Sequence, residues 1–269
     1  MSLEINKKMG ITKNGKVVVP HKYDSIEPMV VNGIKSSVLF KIKDGTEEGI
    51  LLYNPEYENY AYRTGIINIV RDYRDGIAII INTNGEGHPK YALIDTDLNI
   101  VTSKEYVSII PVGRGHFIAR ELNTIDLLGP RGNLMYENIT PATVDTQKSE
   151  TLYITNKDDL FGLVKADKED ISIVDTEFTS IDEFTNGVAV VTIQYDFCLR
   201  YGLLDIKFNE LLEPIYDNIY MLSTDLYAVS NRGKYGVYSI SKRKFIIPIE
   251  FTCVSLSSTS FEDSISAVL

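Results

Sequence analysis

One stretch, Tyr201 to Val229, constrains the fold more than any other, because degenerate copies of it fill the chain. It reads YGLLDIKFNELLEPIYDNIYMLSTDLYAV, which is four short apolar segments separated by turn-forming polar residues. Seven such units align on the middle residue of the first segment, which is Gly10, Gly49, Ala92, Asp126, Gly162, Gly202 and Gly236. These residues lie about 38 positions apart on average, and a fixed period of roughly 20 to 50 residues indicates a repeat architecture.

Each unit is predicted to hold three or four short strands within a single repeat domain, 1–269. The approximate units are 8–44, 45–86, 87–121, 122–157, 158–196, 197–231 and 232–269. The second strand is predicted to end at a proline, as at Pro20, Pro214 and Pro248, because proline donates no ladder hydrogen bond. The third element is an aromatic residue followed three positions later by an aliphatic one, as in Tyr216 and Ile219, and an aliphatic fourth strand closes the unit.

The predicted fold class is all-β. Consecutive apolar residues, as at 17–19 and 77–81, favour strands that are covered on both faces, and no segment combines a helical period with capping residues. Sheets that stack face to face would cover such strands, which favours a propeller-like array of seven units. The alternative is an open, curved, β-solenoid-like array whose terminal units act as caps.

The repeat resembles that of the bacterial WG-repeat family. The resemblance rests on Gly-Leu-(Leu/Ile)-Asp, a turn, Val-Ile-Pro, and Tyr-Asp-x-Ile, and it is clearest over 13–26, 201–219 and 234–254. Tyr91, Phe161, Tyr201 and Tyr235 stand where the family usually has tryptophan. The resemblance implies a β-rich array that serves as an interaction surface. It implies no catalytic residues, because the shared residues are those that build the repeat.

Composition and charge exclude several classes of partner. The net charge of −10 argues against nucleic acid and against anionic membranes, which both need clustered Lys and Arg. No apolar run of 18 residues exists, so no membrane insertion is expected. The first ten residues lack the apolar core of a signal peptide, which predicts a cytoplasmic protein, with prior loss of such a peptide as the alternative. The two cysteines, Cys198 and Cys253, are predicted to be small buried apolar residues.

Two glycine-rich loops, 84–88 and 112–116, contain the candidate ligand-binding residues. The first ends in His88, and the second holds Arg114 and His116. Neither loop leads into a helix with Lys-Ser/Thr, as a phosphate-binding loop would, so both are interpreted as connections between strands. If a ligand site exists, these three residues are predicted to belong to it.

No metal, cofactor or catalytic set is predicted. The three histidines lack metal-ligand spacing. Asp95, Asp97 and Asn99 alternate like the start of a calcium loop, but the required glycine and distal glutamate are missing, so a turn is favoured. The leading hypothesis is therefore a non-enzymatic module that binds a protein partner. The alternatives are a carbohydrate- or small-ligand-binding propeller, with or without hydrolase-like activity, and a structural display array without a specific ligand.

Overall fold

The computed structural model describes residues 8–31, 34–65, 68–74, 76–82, 89–145, 147–259 and 262–268. Within these residues the chain forms strands and one short 3-10 turn, Gly113–Gly115, and it has no α-helix. The predicted all-β class is thereby confirmed. The chain divides into two compact units, one of Met1–Glu137 with Asp167–Asp170, the other of Asn138–Ala166 with Ile171–Leu269.

The first unit contains strands β1 to β13. Their bounds are β1 (Met9–Lys13), β2 (Lys16–Tyr23), β3 (Ser25–Val31), β4 (Ile34–Asp44), β5 (Glu47–Asn54), β6 (Asn59–Thr64), β7 (Asn68–Arg74), β8 (Ile77–Asn82), β9 (Lys90–Ile94), β10 (Ser108–Pro111), β11 (Phe117–Arg120), β12 (Ile125–Leu128) and β13 (Leu134–Tyr136). They form four antiparallel sheets in chain order, namely β1–β2, β3–β6, β7–β9 and β10–β13.

The second unit contains strands β14 to β27. Their bounds are β14 (Thr140–Val144), β15 (Gln147–Lys157), β16 (Leu160–Ala166), β17 (Ile171–Phe178), β18 (Ser180–Ile181), β19 (Val188–Tyr195), β20 (Cys198–Asp205), β21 (Glu210–Tyr216), β22 (Asn218–Met221), β23 (Leu226–Asn231), β24 (Lys234–Ser239), β25 (Lys244–Phe251), β26 (Cys253–Thr259) and β27 (Glu262–Val268). They form four further antiparallel sheets, β14–β17, β18–β21, β22–β25 and β26–β27. Four-stranded antiparallel sheets are also the repeating element of β-propellers, so these sheets are propeller-like.

The sheets do not coincide with the sequence repeats. Each four-stranded sheet combines the last two strands of one repeat with the first two of the next, because the chain changes sheets directly after the aromatic residue. Tyr216 ends β21, whereas Ile219 lies in β22 of the following sheet. The intervening Asp217 donates its N–H to Ser230 O at 2.9 Å, which places it beside the new sheet.

The aspartate of the Tyr-Asp pair anchors the next hairpin. The Asp217 carboxylate accepts the N–H of Arg232 in the turn between β23 and β24, at 2.5 Å. In the first unit, Asp24 does the same for Gly45, in the turn between β4 and β5, at 2.7 Å. The repeat therefore uses Tyr-Asp as a joint between consecutive sheets.

The predicted ending of the second strand at proline is wrong. Strands β2, β21 and β25 continue through Pro20, Pro214 and Pro248. Each is the last strand of its sheet, and an edge strand tolerates proline because one side of it has no ladder partner.

The repeat glycine is required by a close approach of backbone. A Cβ at Gly202 would lie 2.7 Å from Leu212 O, and one at Gly10 would lie 2.4 Å from Val19 O. At both glycines the pairing with the next strand is irregular. Asp126 occupies the same place in β12, where no residue of β13 pairs with it.

The apolar core of each of the two compact units lies between consecutive sheets. Strand β8 shows this arrangement best. Ala78 and Ile80 pack in a cluster with β4 and β5, whereas Ile77 and Ile79 pack in another cluster with β10 and β11. The prediction that this apolar run is covered on both faces is confirmed. The same prediction is wrong for Val17, which is 51% exposed.

Candidate functional site

The loop 112–116 brings together two of the three predicted ligand-binding residues. Arg114 has φ +53° within the 3-10 turn, and the His116 ring nitrogen Nδ1 lies 3.1 Å from Arg114 O. The Arg114 Nε contacts Asp170 Oδ1 at 2.8 Å. Both charged side chains are more than half exposed, so this ion pair contributes little stability. The third candidate, His88, lies outside the described residues.

The backbone of the same loop docks on the turn Asp167–Asp170. Gly113 donates its N–H to Asp167 O at 2.8 Å, and a Cβ at Gly113 would lie only 2.2 Å from Asp170 Cα. Asp167 Oδ1 in turn accepts the N–H groups of Glu169 and Asp170. The glycine of this loop therefore permits packing between two backbones, and the geometry is that of a structural contact.

The Asp95 turn has the local structure that the sequence predicted. Asp95 Oδ1 accepts the N–H groups of Asp97 and Asn99, and Asp95 Oδ2 accepts from the Asn99 side chain. The same arrangement recurs at Asp205 and Asn209 in the second unit. The oxygens of both aspartates thus shape their own turns. In the described residues, no group of His, Cys, Asp and Glu has the geometry to hold a metal ion.

A charge cluster around a buried aspartate lies in the first unit, at a place where the sequence predicted no site. Asp126 is fully buried, and its Oδ2 accepts from Tyr106 Oη at 3.1 Å and lies 3.3 Å from Lys104 Nζ. Lys104 also contacts Glu121 at 3.1 Å and Glu137 at 2.5 Å. One sequence feature could have identified this cluster, because Asp126 stands at a position where the other repeats have glycine or alanine.

The cluster raises the pKa values of Lys104 and Tyr106 further above neutral pH. Hydrogen bonding to Glu137, and further to Glu121 and Asp126, raises the pKa of Lys104. Burial, together with the Asp126 charge, raises the pKa of Tyr106. Lys104 therefore stays charged and Tyr106 stays neutral at neutral pH, whereas a general acid or base works best with a pKa near the operating pH. The cluster has the properties of a structural ion pair.

Lys104 also lines a cavity of about 310 Å³, together with Arg63, Thr102 and Glu105. The Arg63 Nη1 already donates to Leu98 O at 2.8 Å, and Glu105 pairs with Lys90 at 3.0 Å. The lining of this cavity does not include Arg114 or His116. The residues predicted from the glycine-rich loop thus do not contribute to it.

An exposed apolar hairpin tip stands out on the second unit. Strands β19 and β20 join through Asp196 and Phe197, and the Gln194 side chain holds this turn by donating to Asp196 O at 2.9 Å. Phe197 is fully exposed, Tyr195 is 65% exposed and Leu199 is 43% exposed. Tyr195 and Leu199 belong to neighbouring cross-strand pairs and therefore lie on opposite faces of the hairpin, on either side of the turn that carries Phe197. Exposed apolar surface of this kind can mark an interaction site.

The equivalent turns of the other described sheets are largely polar. Those of two residues are Gly45-Thr46, Asp158-Asp159 and Arg232-Gly233, and the longer turn after β11 carries Leu122 as its one apolar residue. The apolar tip is therefore a property of this repeat and is not demanded by the fold. Cys198 lies in this tip and Cys253 begins β26, and both are exposed free thiols, so the prediction that the cysteines are buried is wrong.

No helix of the described residues is long and apolar enough to span a membrane.

Comparison with protein families identifies the repeat. The family model described as "WG containing repeat" matches residues 11–35 and 201–235. The resemblance inferred from the sequence is thereby confirmed over these segments, which include the Tyr23-Asp24 and Tyr216-Asp217 joints. No curated protein matches the chain.

Several solved structures are similar at low identity. The β-propeller domain of the trilobed protease from Pyrococcus furiosus is 9% identical, with 89% of this chain and 97% of that chain covered and a TM-score of 0.30. Protein lmo1340 from Listeria monocytogenes EGD-e is 14% identical, with 93% and 90% covered and a TM-score of 0.26. Acylaminoacyl peptidase from Pyrococcus horikoshii is 9% identical, with 95% and 51% covered and a TM-score of 0.26. Similarity this weak transfers no function.

Proposed function

We propose that this member of the WG-repeat family is a non-enzymatic interaction module, which binds a partner protein through the tip of the β19–β20 hairpin. The observation that carries the proposal is the exposure of Tyr195, Phe197 and Leu199. Aromatic side chains are enriched at interfaces, and a few of them supply most of the binding energy. The fitting partner surface is an apolar cleft that admits the Phe197 ring.

The geometry of the tip supports this role. Phe197 occupies one of the two turn positions between paired Tyr195 and Cys198, so a long, regular hairpin presents it away from the core. Arg200, the third residue of β20, is paired with Asp217. This ion pair connects β20, close to the turn, to the start of the next sheet. A pre-ordered hairpin loses little conformational entropy on binding.

The polar groups of the chain support a non-enzymatic role. The loop that holds Arg114 and His116 makes structural contacts, and the pKa values of Lys104 and Tyr106 lie far from neutrality. Asp95 and Asp205 bind the backbone of their own turns. Each of these groups has a local structural task that accounts for its presence.

The test is affinity capture with a triple variant of the tip, Tyr195→Ser, Phe197→Ser and Leu199→Ser. The wild-type protein should enrich a partner that a denatured bait does not, and the variant should lose it, because loss of one central aromatic anchor typically costs about 2 kcal/mol or more. The matched control is Leu122→Ser, which removes an 81% exposed leucine from another turn. Equal capture by the triple variant and the control would refute the role of the tip.

A further inference from the structure

A second cavity of the first unit, separate from the hairpin tip, has the features of a ligand site. It measures about 430 Å³ and lies between the β5–β6 hairpin end and the turn that follows β9. Pockets that take small ligands are typically roughly 300–1,000 Å³. Its lining includes Leu52 and Ala61 from the paired strands, and Thr96 and Asp97 from the turn.

The cavity combines an apolar floor with an exposed aromatic side chain. Leu52 is buried in the core between sheets, and Ala61 packs against the same cluster. Tyr57 lines the cavity from the β5–β6 turn and is 71% exposed. Asn54 Oδ1 accepts the N–H of Tyr57 at 3.3 Å, so the turn that carries the ring has a defined shape.

Three polar side chains that line the cavity make no polar side-chain contact with the described part of the chain. Asn59, Thr96 and Asp97 make no side-chain hydrogen bond or ion pair with any residue that the structure describes. The neighbouring Asp95 differs, because its carboxylate binds the turn. A donor amide, a hydroxyl and a carboxylate therefore stand beside an apolar floor with no structural task of their own.

The charge of the lining restricts the ligand. Asp97 contributes a carboxylate, and among the residues that the structure describes no Lys, Arg or His lines the cavity. An anionic ligand is therefore disfavoured. A neutral sugar ring has hydroxyls that can both donate to Asp97 and accept from Asn59. Its C–H face carries a slight positive charge that suits the negative face of an aromatic ring such as Tyr57.

We infer that this cavity binds a neutral sugar, with the ring stacked on Tyr57 and its hydroxyls bonded to Asn59, Thr96 and Asp97. The site is distinct from the Arg114 and His116 loop at which a small ligand was first expected.

The test is saturation-transfer NMR with maltose, cellobiose and lactose as probes on the full chain. We expect transfer to the ring C–H protons of at least one disaccharide. Tyr57→Ala should lower the affinity about fivefold, since an aromatic contact is worth about 1 kcal/mol. Asn59→Ala should lower the affinity for the same sugar. The matched control is Tyr195→Ala, which removes a similarly exposed tyrosine from the second unit and should leave sugar binding unchanged.

Absence of transfer to all three disaccharides would overturn the inference, as would equal transfer in Tyr57→Ala. Binding of tetramethylammonium in place of the sugars, abolished by Asp97→Asn, would assign the cavity to organic cations and would also overturn it. The Tyr57→Ala protein should still capture the partner of the β19–β20 tip, so failure of one proposal is distinguishable from failure of the other.

Discussion

Replacing Lys104 by methionine tests whether the charge cluster around the buried Asp126 stabilises the first unit. The Asp126 carboxylate is fully buried and lies 3.3 Å from the ammonium. At an effective dielectric constant of about 20 their attraction is about 5 kcal/mol, part of which is offset by the cost of removing the charges from water. Loss of one partner of a buried pair costs about 3–5 kcal/mol. Because Lys104 is 31% exposed, we expect the lower end, about 3 kcal/mol.

The comparison variant Asp126→Asn should cost less, about 1 kcal/mol. The asparagine retains an oxygen that can accept from Tyr106 Oη, and Lys104 keeps Glu121 and Glu137. The double variant should be less destabilised than the sum of the two single changes, because each removes the same interaction.

The assay is urea unfolding followed by tyrosine fluorescence, since the chain has 17 tyrosines and no tryptophan. The cost of Lys104→Met should persist in 1 M salt, because a buried pair is screened far less than an exposed one. If Asp126→Asn proves as costly as Lys104→Met, or if salt removes the difference, then the cluster is not a buried counter-ion pair.

Two further predictions concern the loops. Gly113→Ala should cost about 3 kcal/mol, the upper end for overpacking, because its Cβ would collide with the backbone of Asp170. Gly45→Ala, with φ +63° and open space around it, should cost about 1 kcal/mol. Equal midpoints in urea would contradict this difference. Hydrogen bonds from the N–H of Ser241 and from a neighbouring serine hydroxyl lower the pKa of Asp225 below 3.8. The Asp225 carboxylate therefore stabilises the folded state above its unfolded pKa, and this contribution is lost as pH falls through the folded pKa. Asp225→Asn should therefore flatten the acid limb of the stability profile, and an unchanged limb would exclude this aspartate as a source of it.

The candidate sites were only partly predictable from the sequence. Arg114 and His116 do lie together, but their loop packs on the turn 167–170, more than 50 positions away in the chain. Asp126 was visible as an exception to the repeat glycine. Its partner Lys104 was not, because the pairing crosses a change of sheet and 22 positions of sequence. The apolar hairpin tip was missed because the run around Phe197 has the composition of an ordinary buried strand.

The sequence by itself determined the all-β class, the repeat period and the short strands, because each depends on neighbouring residues and their alternation. Only the tertiary structure decided which strands share a sheet. The chain leaves one sheet after Tyr216 and enters the next at Asn218, so a repeat supplies halves of two sheets. That choice depends on hydrogen bonds such as Asp217 to Ser230, which join strands that local sequence cannot pair. Exposure at Phe197 and burial at Asp126 follow from the same sheet assignment.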